Sequence, residues 1–210
     1  MIELEHVWMS FGEMTVLKDI CRTFEKGKIH GIVGNNGSGK TVLMKCICGF
    51  LKPTGGSITV NSLRVGRDVD FPPDLGLIIE TPGFLPGLTG VKNLELLASL
   101  NKKADRQAVR YAIERVGLNP DLKRPVGKYS LGMRQRLGIA QAIMEDPALL
   151  VLDEPFNGLD KDAVRTMREL VSELRKQGKT ILLASHNQQD IDELCDTVCE
   201  MDAGVMTEIR

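Results

Sequence analysis

Two stretches of this chain carry residue types whose spacing suits chemistry on a phosphate. Gly34, Asn35, Asn36, Gly37, Ser38, Gly39, Lys40 and Thr41 fit the pattern G-x-x-x-x-G-K-[ST]. Phosphate oxygens need unhindered backbone amides, a cation and a hydroxyl beside a metal ion. The glycines permit positive φ and close approach, the loop amides and the following helix N-terminus hold the anion, Lys40 reaches the terminal phosphates, and Thr41 ligates Mg²⁺. An incidental glycine turn is the competing account. A chance match in 210 residues is on the order of one per cent, and the pattern stands between a strand-like and a helix-like run.

The second stretch is LLVLDEP, Leu149 to Pro155, an apolar run closing on two adjacent carboxylates. Downstream of a phosphate loop, Asp153 suits a place beside the metal and Glu154 the polarisation of an attacking water. Solvated acids at a strand end are the alternative. The upstream loop weighs against it.

The elements that must position these residues read as alternating strands and helices. MIELEHVWM and TVLKDICRTFE predict an antiparallel pair turning at Phe11 and Gly12, and KIHGIVG a central strand. TVLMKCICGFL predicts the helix after the loop, stopped by Gly49 and Pro53. GGSITVNS and DLGLIIE predict further strands. From Thr81 the texture changes: a Pro/Gly loop, TPGFLPGLTG, precedes three helical runs, VKNLELLASLN, RQAVRYAIERVGL and SLGMRQRLGIAQAI. ALLVLDEP and TILLAS then read as buried parallel strands around the helix DAVRTMRELVSELRKQ. NQQDIDELC predicts a last helix and TVCEMDAGVMTEI a terminal hairpin turning near Ala203 and Gly204.

Composition narrows the functional classes. With 42% hydrophobic and 26% charged residues, the chain can bury a core as a single domain with a sub-lobe. A formal net charge of -1 supplies no overall field for nucleic acid, which is not expected as a partner. Five cysteines, Cys21, Cys46, Cys48, Cys195 and Cys199, and a start carrying acids where a secretory signal carries lysines point to a reducing cytosol. Cys195 and Cys199 have the spacing of metal ligands on a helix, but without a companion histidine they read as buried thiols. No apolar run approaches the ~20 residues a spanning helix needs.

The interval between Lys40 and Asp153, filled by predicted helices, and the stretch YSLGMRQR just upstream of LLVLDEP resemble the ATP-binding subunit of ABC transporters over essentially the whole chain. That resemblance implies an α/β P-loop NTPase of the RecA-like kind, with a mostly parallel sheet and an antiparallel N-terminal β subdomain. Residues 1–80 and 145–210 would form the nucleotide-binding core, and 81–144 an inserted helical subdomain. It implies ATP and Mg²⁺ as ligands, and an ATPase that drives transport. The family's signature, usually LSGGQ, falls on Tyr129 to Met133, so Ser130 and Gly132 would offer a hydroxyl and an amide to nucleotide held by a second subunit, head to tail. Ser130 also suits plain helix capping.

Other positions carry over singly. Phe11 stands where an aromatic stacks on adenine, with a core phenylalanine as the alternative. Gly34 to Thr41 and Val42 would surround the phosphates. Gly158, Leu159 and Asp160 resemble the loop crossing the dimer interface. His186, after a predicted strand, resembles the switch histidine at the γ-phosphate, so Lys40, Glu154 and His186 form the expected catalytic set. Thr41, Asp153 and Glu80 would hold Mg²⁺, the Glu80 carboxylate contacting the metal or its water.

Three departures accompany the match. Glu80 stands where the family usually has glutamine, Leu131 replaces the first signature glycine, and Met133 replaces the signature glutamine and its amide. They resemble exporter subunits associated with bacitracin- and lantibiotic-type peptides. The resulting expectation is an ATP-driven subunit on the cytoplasmic face of the membrane, bound to a separate permease and to a second ATP-binding subunit, identical or not. The segment 81–97, with Phe84, Leu85 and Leu88 exposed, is the predicted docking surface, a loop packed onto its own lobe being the alternative. An ABC-type ATPase acting on nucleic acid or ribosomes is the competing function; the single ATPase unit and the absence of a heptad run count against it.

Overall fold

The computed structural model covers residues 1–210. An antiparallel sheet has the strand order β2-β1-β4-β5, formed by β1 (Ile2–Phe11), β2 (Met14–Phe24), β4 (Gly55–Val60) and the short β5 (Leu63–Arg64). The main sheet has the order β10-β9-β3-β8-β7-β6, from β3 (Ile29–Val33), β6 (Leu75–Ile78), β7 (Leu149–Asp153), β8 (Thr180–Ala184), β9 (Thr197–Asp202) and β10 (Val205–Glu208). Its pairings are parallel except for β10, which returns antiparallel to β9 through the turn at Ala203 and Gly204.

The helices are α1 (Lys40–Ile47), α2 (Gly90–Asn101), α3 (Arg106–Arg115), α4 (Leu131–Ile143), α5 (Lys161–Lys176) and α6 (Gln188–Leu194). A 3₁₀ turn at Val126–Lys128 precedes α4. Side-chain oxygens of Thr89, Asp105, Ser130 and Asp160 accept amide hydrogens at the starts of α2, α3, α4 and α5. Each such cap stabilises its helix by about 1 kcal/mol.

β7 and β8 are buried throughout, and their alternation feeds two cores. Leu150, Leu152, Ile181 and Leu183 join a cluster with α2 to α5 residues, including Leu94, Val109, Leu137 and Leu170. Leu149, Val151, Leu182 and Ala184 face the other way, with Leu43, Met44 and Ile47 of α1 and the inner face of the antiparallel sheet. A strand covered on both faces reads as an unbroken apolar run, which is why both were visible in the sequence. α4 lies close over β6: a Cβ on Gly76 would fall 1.9 Å from the Ala142 carbonyl oxygen.

Three local expectations are corrected. α1 stops at Ile47, so the predicted run's last residues to Leu51 lie outside it; of the two predicted stops Gly49, at φ +87°, is the one that ends the helix. Cys195 follows the end of α6 while Cys199 lies within β9, so they share no helix face. Of the proposed docking contacts only Leu85 is exposed. Phe84 and Leu88 are half-buried, Phe84 against the helical core, because buried Asn93 ties the loop down. Its Oδ1 accepts from Leu85 N at 2.8 Å, and its Nδ2 donates to the carbonyls of Leu85 and Thr89, each at 3.1 Å.

Candidate nucleotide-binding and hydrolytic site

The chain leaves β3 through Gly34 and re-enters regular structure at Lys40, so residues 34–39 form a loop at the C-terminal edge of the parallel sheet. Gly34 adopts φ +139°, and a Cβ there would lie 2.1 Å from the Met201 carbonyl oxygen, so only glycine makes that exit. Gly37 and Gly39 also take positive φ, +82° and +109°. Lys40 is buried and its Nζ donates to the carbonyls of Gly34 at 2.6 Å and Asn35 at 3.1 Å. The cation is thereby held across its own loop. Buried Ser38 Oγ has no hydrogen-bond partner within the protein.

The end of β7, separated from β3 by β8, supplies the acids. Thr41 Oγ1, on α1, donates to Asp153 Oδ2, at the end of β7, at 2.6 Å. Glu154 follows in a left-handed conformation, φ +49°, its amide donating to the Ala184 carbonyl of β8 at 2.9 Å. Its Oε2 lies 2.8 Å from His186 Nδ1. With the carboxylate ionised, the ring N–H is the donor.

Beside His186, Ser185 Oγ donates to buried Asp190 Oδ2 at 2.8 Å, and Arg168 of α5 donates through Nε and Nη2 to Asp190 Oδ1. The loop bearing His186 is therefore anchored from two helices.

An open cleft of about 530 Å³ collects Asn36, Gly37, Gly39, Lys40, Thr41, Val42, Glu80, Asp153 and Glu154. Glu80, at φ +60°, directs Oε1 to Lys45 Nζ on α1 at 2.6 Å. This carboxylate thus pairs with the helix that carries the phosphate loop. Phe11 is exposed at the end of β1. It is not among the cleft's lining residues, nor are Ser130 and Gly132.

Ser130 caps α4, its Oγ accepting from Met133 N at 3.2 Å. Gly132 lies against the loop at 158–160, where an added Cβ would sit 3.0 Å from the Gly158 carbonyl oxygen. The basic residues after it serve their own lobe: Arg134 Nη1 donates to the Tyr129 carbonyl at 2.6 Å and Arg136 Nη1 to Gly117 at 3.0 Å.

Sequence reasoning passed over Gln135. It is buried, lines the cleft, and donates through Nε2 to the carbonyls of Glu154 at 3.1 Å and Pro155 at 3.0 Å. A signal was available: Gln135 shares the helical stripe of Ile139 and Ala142, a polar residue on a face otherwise apolar. Behind the loop, burial pushes the Cys46 and Cys48 thiols up to about 12.

A Gly-rich loop between a central parallel strand and a helix, with acids at the end of β7 one strand further across the sheet, defines a P-loop nucleotide-binding protein. Residues 17–157 match the ABC transporter family, and the chain belongs to it as an ABC ATPase and transporter ATP-binding subunit.

The chain is 43% identical to the ABC transporter ATP-binding protein YybJ of Bacillus subtilis, over 97% of this chain and 94% of that protein. It is 40% identical to the bacitracin transport ATP-binding protein BcrA of Enterococcus faecalis, over 99% of this chain and 68% of that one. With the lantibiotic transport ATP-binding protein SrtF of Streptococcus pyogenes it shares 33% identity over 94% of this chain and 85% of that protein. Among solved structures, an ATP-binding subunit of an ABC transporter superposes with a TM-score of 0.88 at 26% identity, covering 99% of this chain and 90% of the other. The fold is shared equally with a dimeric ATP-binding cassette in a post-hydrolysis state bound to ADP and Pi, at TM-score 0.88 and 21% identity, covering 100% and 99% of the two chains.

Proposed function

We propose that this chain binds and hydrolyses ATP at the cleft between the phosphate loop and the ends of β7 and β8, and that this drives a peptide exporter. One observation carries the reading: Thr41 and Asp153 meet at 2.6 Å while the next residue, Glu154, meets His186 at 2.8 Å. A metal-type oxygen pair and a base with its orienting partner are thereby adjacent.

Thr41 and Asp153 offer the hard oxygen donors that Mg²⁺ prefers, and they already lie within one ion's reach of each other. When bound there, Mg²⁺ neutralises charge on the terminal phosphates. Lys40 pairs with the β- and γ-phosphates, the amides from Gly34 to Val42 cradle them, and the unpartnered Ser38 hydroxyl supplies a further polar contact. Glu154 takes a proton from the attacking water, and His186 holds the carboxylate in place and faces the γ-phosphate. Phe11 stacks on adenine. Glu80 shares its charge with Lys45, and its carboxylate would reach Mg²⁺ or its water only on leaving that pair.

Ser130 is exposed at the start of a 13-residue helix that also presents the Gly132 amide. These groups complete a nucleotide site in a second subunit, so that ATP closes a head-to-tail dimer and hydrolysis reopens it. No helix is long and apolar enough to cross a membrane. Relatives named as transport ATP-binding proteins support coupling through a separate permease, with the chain peripheral on the cytoplasmic face. Relatives named for bacitracin and lantibiotic transport support a peptide antibiotic or similar amphiphile as cargo.

The test is Glu154→Gln. Hydrolysis is expected to fall by ~10²–10⁴, and light scattering with ATP should reveal a dimer absent without it. A variant that stays monomeric in ATP and hydrolyses at the parental rate would overturn both assignments.

A further inference from the structure

The outer face of the β1–β2 ribbon carries a cluster that nucleotide chemistry does not use. Of the ribbon's three register slips, two lie on either side of the Val7↔Ile20 pair. Between Leu4↔Arg22 and Val7↔Ile20, Glu5 and His6 oppose Cys21 alone; between Val7↔Ile20 and Met9↔Leu17, Lys18 and Asp19 oppose Trp8 alone. Each of these two slips is a β-bulge, and its extra residue, His6 on one strand and Asp19 on the other, takes a left-handed conformation, φ +48° and +50°. Two bulges facing each other across the ribbon thus bring together side chains that regular alternation would not.

The result is a compact set of three different donors. His6 Nδ1 lies 2.7 Å from Asp19 Oδ1 and 3.5 Å from Cys21 Sγ. All three ligand atoms lie within 4.8 Å of one another. The His6 amide also donates to Cys21 Sγ at 3.2 Å, the kind of contact that supports a thiolate in a metal's outer shell. All three residues are exposed, and none lines the phosphate-loop cleft.

We propose that His6, Asp19 and Cys21 form a binding site for a borderline divalent transition metal of the Zn²⁺ class. Tetrahedral zinc with sulfur, nitrogen and oxygen ligands places those ligands about 3.4 to 3.6 Å apart. The sulfur–nitrogen separation already has that value, and the nitrogen–oxygen contact opens by less than 1 Å as a metal replaces the shared hydrogen. A thiolate, an imidazole and one carboxylate select against Mg²⁺ and Ca²⁺, which prefer oxygen alone. Solvent completes the fourth position on this open face. The same three groups also have the types of a nucleophile with its base and orienter, but none of them lines a larger cleft of the molecule. Binding releases the Cys21 thiol proton and ties β1 to β2 in the middle of the ribbon.

The test is an anaerobic Co²⁺ titration of the full chain, read by thiolate-to-cobalt charge transfer in the near ultraviolet and followed by competition with Zn²⁺. One equivalent of Co²⁺ should produce the band and Zn²⁺ should abolish it. Cys21→Ser should remove it, while His6→Ala and Asp19→Asn should each weaken affinity at least about tenfold, the loss that even outer-shell partners cause. Burial pushes the Cys46, Cys48 and Cys195 thiols up to about 12 and raises Cys199 as well, so a band from any of them is not expected. No band in the parent chain, or a band undiminished in Cys21→Ser, would overturn the proposal. If Cys21→Ser fails to fold, His6→Ala and Asp19→Asn decide it: affinities equal to the parent's would sink the site.

Discussion

The side-chain amide of Gln135, on α4, donates to the backbone carbonyl of Glu154 at 3.1 Å. The helix that opens on the signature stretch is thereby tied to the residue proposed to activate water, within one chain. Replacing Gln135 by Leu leaves the carbonyls of Glu154 and Pro155 without this donor, at about 1–3 kcal/mol for each carbonyl that stays buried. A lower urea midpoint is expected, together with a fall in kcat larger than any change in KM. A kcat equal to the parent's would show that the tie does not position Glu154.

Thr41→Ala removes the hydroxyl that Asp153 accepts from without altering the loop's amides. The Mg²⁺ concentration giving half-maximal ATPase should rise at least about tenfold, while nucleotide binding without metal stays close to that of the parent. An unchanged Mg²⁺ requirement in a magnesium titration would remove Thr41 from the metal site.

Asp190 is almost wholly buried and joins Arg168 to Ser185, next to His186. Its replacement by Ala strands the Arg168 guanidinium, although Glu193 still faces that group at 3.1 Å. The expected loss is about 3 kcal/mol, the low end for removing one partner of a buried pair. Urea unfolding measures it. A parallel ATPase assay should show hydrolysis falling as the His186 loop loosens.

His30 is buried on β3, with Nε2–H directed to the Glu25 carbonyl at 2.9 Å and Nδ1 accepting from the Thr197 hydroxyl at 2.7 Å. Burial holds its pKa below the ordinary 6.5; Arg22 and Lys28 add to the lowering, while the Glu25 carbonyl and Asp196 oppose it. The unfolded chain therefore takes up a proton near pH 6.5 that the folded chain refuses. Its stabilising contribution is present above that pH and is lost as pH falls toward the lowered value, with a limiting slope of about 1.4 kcal/mol per pH unit. Urea midpoints between pH 7.5 and 5 should fall less steeply in His30→Gln than in the parent. Parallel curves would rule out His30 as the source.

Much of this fold could be read from local pattern because its strongest elements are locally coded. β7 and β8 are continuous apolar runs, α5 is a long amphipathic helix, and the phosphate loop has its own residue signature. What escaped depends on contacts between distant segments. β5, two residues long, exists only because β4 is there to pair with it. Phe84 and Leu88 look like exposed loop residues until Asn93 folds the loop back. Gln135 looks polar and peripheral until the chain after β7 returns against it, and the His6, Asp19 and Cys21 cluster needs two bulges that no residue pattern announces.

The packing of β7 on both faces carries a consequence for how this chain can change length. Leu149 and Val151 serve one core, Leu150 and Leu152 the other, so inserting or deleting one residue in the strand would exchange the two sets and turn Asp153 away from Thr41 in the same step. A deletion scan should therefore find residues 149–153 intolerant in both directions, and residues 66–70, beyond β5, permissive. The strand acts as a ruler with two graduated edges, and the chemistry at its end depends on both edges being read in phase.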